Sequence, residues 1–306
     1  MTRVSVIIPA YGRCPHLLDS LRALHSGTRS PDEIVVAHSG PDDPSAEIVE
    51  LGRELGRPIE VRHFEGRLLG GAARNRGAEV ATGDWFAFLD ADVRPAPEWL
   101  EALLERAGTS ARRLVVGSVG TATSGGYWGM VNWICEFSEQ APWHPARQQI
   151  GGASCSMLVR ASDFRKAEGF AEAFQPAEDT LLFAWLRDDG CEQWFEPRAR
   201  VDHHNPAGFA AFRKHQDRLG RHSAMIRQRI DLPGGWAVRF WPLATILWLP
   251  RWLFGVQRLL RGGPRWWLRS FLYSPGMALG ALVWNWGFLA QTVTPSPSFP
   301  ATDGAR

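Results

Sequence analysis

Short β-branched runs alternate with helix-like stretches through the first hundred residues, and this alternation restricts the chain to one broad class of fold. Val4-Ser5-Val6-Ile7-Ile8 is a buried-type strand stopped by Pro9. Pro15 suits the first turn of a helix running to about His25. Glu33-Ile34-Val35-Val36-Ala37 reads as a second strand, Pro44 to Leu55 as a helix, and Ile59-Glu60-Val61-Arg62-His63 as a third strand. Gly71 to Ala81 is helical in character, with alanines and arginines and few β-branched residues. Asp84 to Leu89 is a fourth strand. Strands and helices at this spacing imply βαβ units, hence an α/β domain with a mostly parallel central sheet and helices on both faces.

Further on, a helix is expected near Glu98–Arg106 and a strand at Leu114–Val119. Residues 120–149 are rich in Gly, Trp and Ser and read as loop with one short helix, a stretch suited to a lid or an acceptor surface. A strand at Ala153–Val159 and helices at Asp179–Asp188 and Ala207–Arg229 follow. Leu232-Pro233-Gly234-Gly235 marks the expected boundary between an α/β domain, 1–232, and a C-terminal helical region, 233–306.

Charge and composition change at that boundary. The chain has 306 residues and a net charge of +2, yet no Asp or Glu lies between Leu232 and Thr302. That stretch holds Arg239, Arg251, Arg258, Arg261, Arg265 and Arg269, together with eight of the fifteen tryptophans. Arginine and tryptophan without acids suits a surface facing anionic lipid headgroups, so membrane lipid is the expected partner of residues 233–293. The long apolar runs between the arginines argue against nucleic acid. Phe271 to Val293 is uncharged, and from Pro275 a helix would reach about 28 Å, close to a bilayer core of about 30 Å. Phe240–Pro250, between Arg239 and Arg251, is too short to span and suits an interfacial or re-entrant helix. The alternative is that both helices pack as ordinary core. Cys14, Cys135, Cys155 and Cys191 show neither metal-type spacing nor a disulfide framework, and with a strand beginning at Val4 no signal peptide is expected. The α/β domain is therefore expected on the cytoplasmic side of the cell membrane.

Ligands of open α/β sheets bind beyond the carboxyl ends of the strands. Pro9-Ala10-Tyr11, the segment after Val36, and Asp90-Ala91-Asp92 all fall at such ends. Asp90 and Asp92 are two apart and in extended backbone would project to one side. Two such carboxylates repel unless a divalent cation, Mg²⁺ or Mn²⁺, lies between them and a diphosphate. The cation would then stabilise a leaving nucleoside diphosphate. A solvated turn is the ordinary alternative for an Asp-x-Asp pair.

Several motifs in order carry a resemblance. Val4 to Tyr11, Ala73-Arg74-Asn75-Arg76-Gly77, and Ala81-Thr82-Gly83-Asp84 leading to Asp90-Ala91-Asp92 are similar to family 2 glycosyltransferases of the GT-A fold, a Rossmann-like architecture. Gly151-Gly152-Ala153-Ser154, Gly169-Phe170 and Glu178-Asp179 match the second half of that pattern, so the resemblance covers about residues 3–225. It implies inverting transfer from a nucleotide-sugar donor to a lipid-linked or glycan acceptor, with a carboxylate as base. Asp179 matches the base, with Glu178 its neighbour and rival; both also suit the first turn of a helix. Asp90 matches a position near the ribose and metal, Asp92 the direct metal ligand, and Arg74 a position near the nucleotide. His203, in the pair His203-His204, falls where such enzymes supply a histidine to the metal or diphosphate.

One departure stands out. The acidic residue usual after the second strand is absent, and Ala37-His38-Ser39-Gly40 stands there, leaving His38, Asp42 or Asp43 as nucleobase contacts. No convincing Gln-x-x-Arg-Trp signature of processive polymerases is present, so single-sugar transfer is expected. Two other readings remain. A catalytically inactive relative could act as a membrane scaffold in an envelope-assembly complex. A nucleotidyltransferase would need a Gly/Arg/Lys-rich phosphate loop at the start of the chain, which Pro9–Arg13 does not resemble.

Overall fold

The computed structural model describes residues 2–108, 113–122, 126–172, 174, 177–232 and 234–294. They form two compact units: Met1–Thr123 with Phe137–Asn205, and Ser124–Glu136 with Pro206–Arg306. The helix at 209–227, grouped with the α/β domain on sequence, clusters in the second unit. Pro233, at the expected boundary, lies outside the described residues.

The first unit is built on β1 (Val4–Tyr11), β2 (Glu33–Ser39), β3 (Glu60–Phe64) and β4 (Trp85–Leu89), which pair in parallel in the order β3-β2-β1-β4. Val4, Val6, Ile7 and Ile8 are all fully buried, as the continuous apolar run of a central parallel strand requires. Pro9 does not stop β1. Pairing to β4 ends at Ile7, so the strand is one-sided at Pro9, where a missing N–H is tolerated.

Beyond β4 the sheet is mixed rather than mostly parallel. β8 (Ser156–Arg160) runs antiparallel between β4 and β6 (Arg113–Thr121). Next comes β9 (Glu192–His203), parallel to β6, with β5 (Val93–Pro95) and the short β7 (Arg147–Gln148) antiparallel to it. β9 is not legible as a strand in the sequence, because Glu, Arg and Pro interrupt its alternation; its pairing with β6 also shifts register between Gly117 and Ser118.

Helices cover both faces. Met157 of β8 packs with Phe86, Phe88, Phe164, Phe170 and Leu182. Its neighbour Ser156 faces the other way and accepts a bond from Trp99 Nε1 at 2.8 Å. Phe164 lies on α6 (Ala161–Lys166), Leu182 on α7 (Glu178–Asp188) and Trp99 on α4 (Trp99–Ala107). Phe86 and Phe88 are wholly buried, so truncating either to alanine should cost about 3–5 kcal/mol. α1 (Leu17–His25), α2 (Ser45–Glu54) and α3 (Gly70–Val80) complete the unit. α3 lies so close on β1 that a Cβ at Gly77 would stand 2.5 Å from Ile7 Cγ2.

The second unit is helical: α5 (Gly126–Phe137, of which Phe137 clusters with the first unit), α8 (Phe209–Arg227), α9 (Trp236–Arg239), α10 (Trp241–Ala244), α11 (Trp248–Leu260) and α12 (Pro264–Val293). The stretch read as loop with one short helix thus contributes a twelve-residue helix. α8 and α12 pack through small residues: a Cβ on Gly220 would lie 2.0 Å from Trp284 O, and one on Gly287 2.3 Å from Asp217 O. Among the described residues no helix is long and apolar enough to cross a membrane, so the expected span at 275–293 is not met. The reason lies in the buried side of α12, where Gly276, Gly280, Asn285, Gly287 and Gln291 replace large apolar residues.

Candidate active site

A cleft of roughly 400 Å³ opens at the carboxyl ends of β1 and β4. Pro9, Ala10 and Tyr11 form one wall, Asp90, Ala91 and Asp92 another, and Arg74 contributes from α3. His38 does not line it. His38 is fully buried, with Nε2 3.0 Å from Gly12 O and Nδ1 3.0 Å from His63 Nδ1. It therefore supports the turn after β1 from behind. Asp42 and Asp43 are half-exposed, and pair with Arg13 and His63 at 3.6 and 3.7 Å.

The two aspartates part company. Val93 N–H donates to Asp90 O at 3.4 Å, closing a turn between β4 and β5, so the extended backbone assumed from sequence does not hold. Asp90 turns to Arg74, whose Nη2 lies 2.5 Å from Asp90 Oδ1. Asp92 is half-exposed and faces His203, whose Nε2 is 3.6 Å from Asp92 Oδ2. The register Val93↔His203 between β5 and β9 brings these two together, and His204 N–H donates to Asp92 O at 2.9 Å. His203 Nδ1 meets Asn205 Oδ1 at 3.1 Å, which fixes the ring with Nε2 toward Asp92. His204 instead stacks on His16, ring centroids 3.6 Å apart, and burial with the neighbouring His16 and His203 lowers its pKa.

Behind the cleft lies a buried charge cluster. Arg74 Nη1 is 3.2 Å from Glu178 Oε1, and Glu178 Oε2 accepts from Ala177 N–H at 2.9 Å. Burial opposes the charge on Arg74, but Asp90, Glu178 and Asp179 outweigh it and raise its pKa. Asp179 follows at the start of α7. Burial, and then the charge of Glu178, push its carboxyl up to about 7, against the opposing pull of Arg74 and the backbone N–H groups of Thr180 and Ser154. A carboxyl poised there can exchange a proton near neutral pH. Glu178 is committed to Arg74 and its own helix start, so the two carboxylates have different surroundings and different capacities.

The donor chemistry of a divalent cation can be compared with what stands here. Among the described residues no group of three or more His, Cys, Asp or Glu could hold a metal ion. Asp92 and the oriented His203 Nε2 nevertheless offer one carboxylate and one imidazole facing each other, a partial set that a diphosphate would complete. Asp90 fits less well, being engaged by Arg74.

Some cleft residues went unnoticed in the sequence. Arg67 covers the Tyr11 ring at 4.8 Å, and Leu69 and Gly70 bring the start of α3 to the cleft. The signal was a basic residue shortly before Gly70-Gly71 at a helix start, an arrangement that favours anions. Arg213, Arg218 and Arg221 lie on α8 in the second unit, where Arg221 pairs with Asp217 at 2.9 Å.

Comparison with known proteins agrees with this geometry. The pattern of the family described as "Glycosyl transferase family 2" matches residues 5–167. A pre-mycofactocin glycosyltransferase of Mycobacterium tuberculosis (strain CDC 1551 / Oshkosh) is 31% identical over 207 residues, 65% of this chain and 42% of that protein. The chain thus spans about two fifths of that relative's length. Among solved structures, S. aureus TarS 1-349 in complex with UDP-GlcNAc gives a TM-score of 0.53 at 15% identity, over 95% of this chain and 91% of that one. GalNAc-T7 with UDP, GalNAc and Mn²⁺ gives 0.55 at 16%, over 67% and 43%. At such identities the likeness shows the fold, a mixed α/β sheet of GT-A type. With its family pattern on β1, α3, β4 and the Asp90–Asp92 turn, the chain belongs to glycosyl transferase family 2.

Proposed function

We propose that this protein transfers a single sugar, with inversion, from a nucleotide-sugar to a lipid-linked or glycan acceptor, and that Asp179 is the base. The observation that carries this reading is a cleft that presents Arg74, Asp90 and Asp92, with the Asp179 carboxyl in the charge cluster around Arg74, pushed up to about 7 by burial and then by Glu178. Pro9, Ala10, Tyr11 and Ala91 would shape the cleft around the nucleotide, and Arg67 and Arg74 would face its diphosphate. As the acceptor oxygen attacks the anomeric carbon, its proton passes to an Asp179 carboxylate oxygen. The bond from that carbon to the diphosphate oxygen breaks with its electron pair on the leaving group. Attack opposite the leaving group inverts the carbon. The UDP-containing complexes of the two structural neighbours support a nucleotide-sugar donor.

Mn²⁺ or Mg²⁺ is the proposed cofactor, held by Asp92 and His203. It would supply Lewis-acid stabilisation of the departing diphosphate. The Mn²⁺ in the GalNAc-T7 structure supports that choice.

A second reading, an inactive family member acting as a scaffold, is favoured by one observation: Asp90 is already neutralised by Arg74. Titration of UDP, GDP and dTDP with and without Mn²⁺, followed by assay of sugar release from the donor that binds, separates the two. Binding with turnover supports the enzyme; binding without turnover under any acceptor supports the scaffold.

A further inference from the structure

The helical unit carries a set of exposed apolar side chains that its own packing does not use. On α12, Leu268, Leu272, Leu279, Leu282 and Trp286 recur at intervals of four, seven, three and four residues, so they form one stripe along the helix. All are exposed, Leu268 at 74% and Trp286 at 70%. The other side of the same helix is spent on packing, with Gly276 against Val131 and Tyr127, and Gly280 against Phe212. α11 repeats the arrangement. Leu249, Leu253 and Leu260 are exposed at matching intervals, while Gly255 and Leu259 are buried, with Gly255 facing Met277 of α12. Before it, Phe240, Trp241, Leu243 and Ile246 are exposed on the short helical turns of α10 and its flanks. Soluble chains rarely leave so much large apolar surface uncovered without a partner for it.

The charges name the partner. Arg239, Arg261, Arg265 and Arg269 are exposed between these apolar residues, and residues 233–301 contain no Asp or Glu. Of the unit's described carboxylates, Glu136 and Asp217 are held by His215 and Arg221 at 2.9 Å each, and Asp231 is exposed before α9. Arg251 donates to Cys135 O at 3.3 Å and covers the Trp284 ring. Burial, and then the like charges of Arg258 and Arg227, lower its pKa. A second copy of the chain would instead bring arginines against arginines. Tryptophan and arginine flanking an apolar face are the side chains that settle at a lipid headgroup boundary.

We propose that α10, α11 and α12 form an in-plane docking surface for an anionic phospholipid bilayer. The apolar stripe enters the boundary between headgroups and acyl chains, and Arg239, Arg261, Arg265 and Arg269 lie at the level of the lipid phosphates. None of the described helices crosses the bilayer. This inference is independent of the sugar-transfer chemistry.

The test is co-sedimentation of the full chain with vesicles of mixed phosphatidylcholine and phosphatidylglycerol, and with phosphatidylcholine alone. Binding to the mixed vesicles, weakened by salt, is expected. Phe271→Ser with Leu268→Ser alters two positions exposed at 83% and 74%, so folding should persist by circular dichroism while vesicle binding is lost. Arg261→Glu with Arg265→Glu should weaken binding about tenfold or more. Absence of binding, or equal binding to both vesicle types that neither variant changes, overturns the proposal. A concentration-dependent dimer abolished by Leu279→Ser, with no vesicle binding, would assign the face to a second copy instead. Retention of the expressed protein in membranes after an alkaline carbonate wash would contradict in-plane docking.

Discussion

Arg74 and Glu178, 104 positions apart in the chain, form a buried ion pair whose Nη1–Oε1 distance is 3.2 Å, and the same guanidinium holds Asp90 through its other nitrogen. This arginine joins the start of α7 to the end of β4. It pairs with two of three neighbouring carboxylates, while burial and then the charge of Glu178 push the third, Asp179, up to about 7.

Arg74→Ala should therefore be costly twice over. Removing the cation leaves Glu178 buried without its partner, a change worth about 3–5 kcal/mol of stability. Thermal unfolding should show it, and sugar transfer should fall with it. Arg74→Lys should recover part of the stability but not the two-carboxylate geometry, since an ammonium cannot offer two separate nitrogens.

Asp179 gives a prediction with a defined sign in pH. As a base it must be ionised, so kcat/KM should fall as pH drops below about 7. Stability should move the other way. The folded carboxyl holds its proton up to about 7, well above the ordinary value of 3.8, so stability falls as pH rises through that window. Asp179→Asn should then unfold at higher temperature than the wild type at pH 8, with little difference near pH 4.

At the opposite wall, His203→Ala and Asp92→Ala should each weaken Mn²⁺-dependent binding of a nucleoside diphosphate by about tenfold to a hundredfold. Asn205→Ala, which frees the His203 ring, should have a smaller effect in the same direction. Calorimetric titration with and without Mn²⁺ measures both.

Much of the first unit was legible because β1, β2 and β4 are buried on both faces, and their apolar runs need no tertiary context to be seen. The Asp90–Asp92 turn and Glu178-Asp179 were legible for a different reason, as motifs in a fixed order. β9 was not, since its side chains include Glu196, Arg198, Arg200 and Asp202, whose pairing with one another or with Arg106 and Glu105 makes the strand tolerable. Nor was the split between Asp90 and Asp92, because a turn closed by one backbone bond decides which way each carboxylate points. His38 looked like a nucleobase contact by position, yet it is buried, and the pair it forms with the half-buried His63 depends on the β2–β3 register. In the tail, amphipathic helices and a bilayer span share much the same composition. The glycines on the packed side of α12 decide between them.

Gly71 tests how tightly the charge cluster is held. A Cβ there would lie 3.0 Å from Glu178 Cγ and 3.2 Å from Phe170 Cβ. Gly71→Val should push Glu178 away from Arg74, cost about 1–3 kcal/mol and lower turnover more than donor binding. Chemical denaturation and steady-state kinetics on the same protein would show both effects.

The most direct measurement compares wild type and Asp179→Asn in Mn²⁺ against a panel of UDP-, GDP- and dTDP-sugars, following both donor binding and donor turnover at pH 8. The account predicts that the variant binds the same nucleotide-sugar as the wild type with similar affinity, while transfer falls by about a hundredfold to ten-thousandfold. Transfer by Asp179→Asn at the wild-type rate would contradict it.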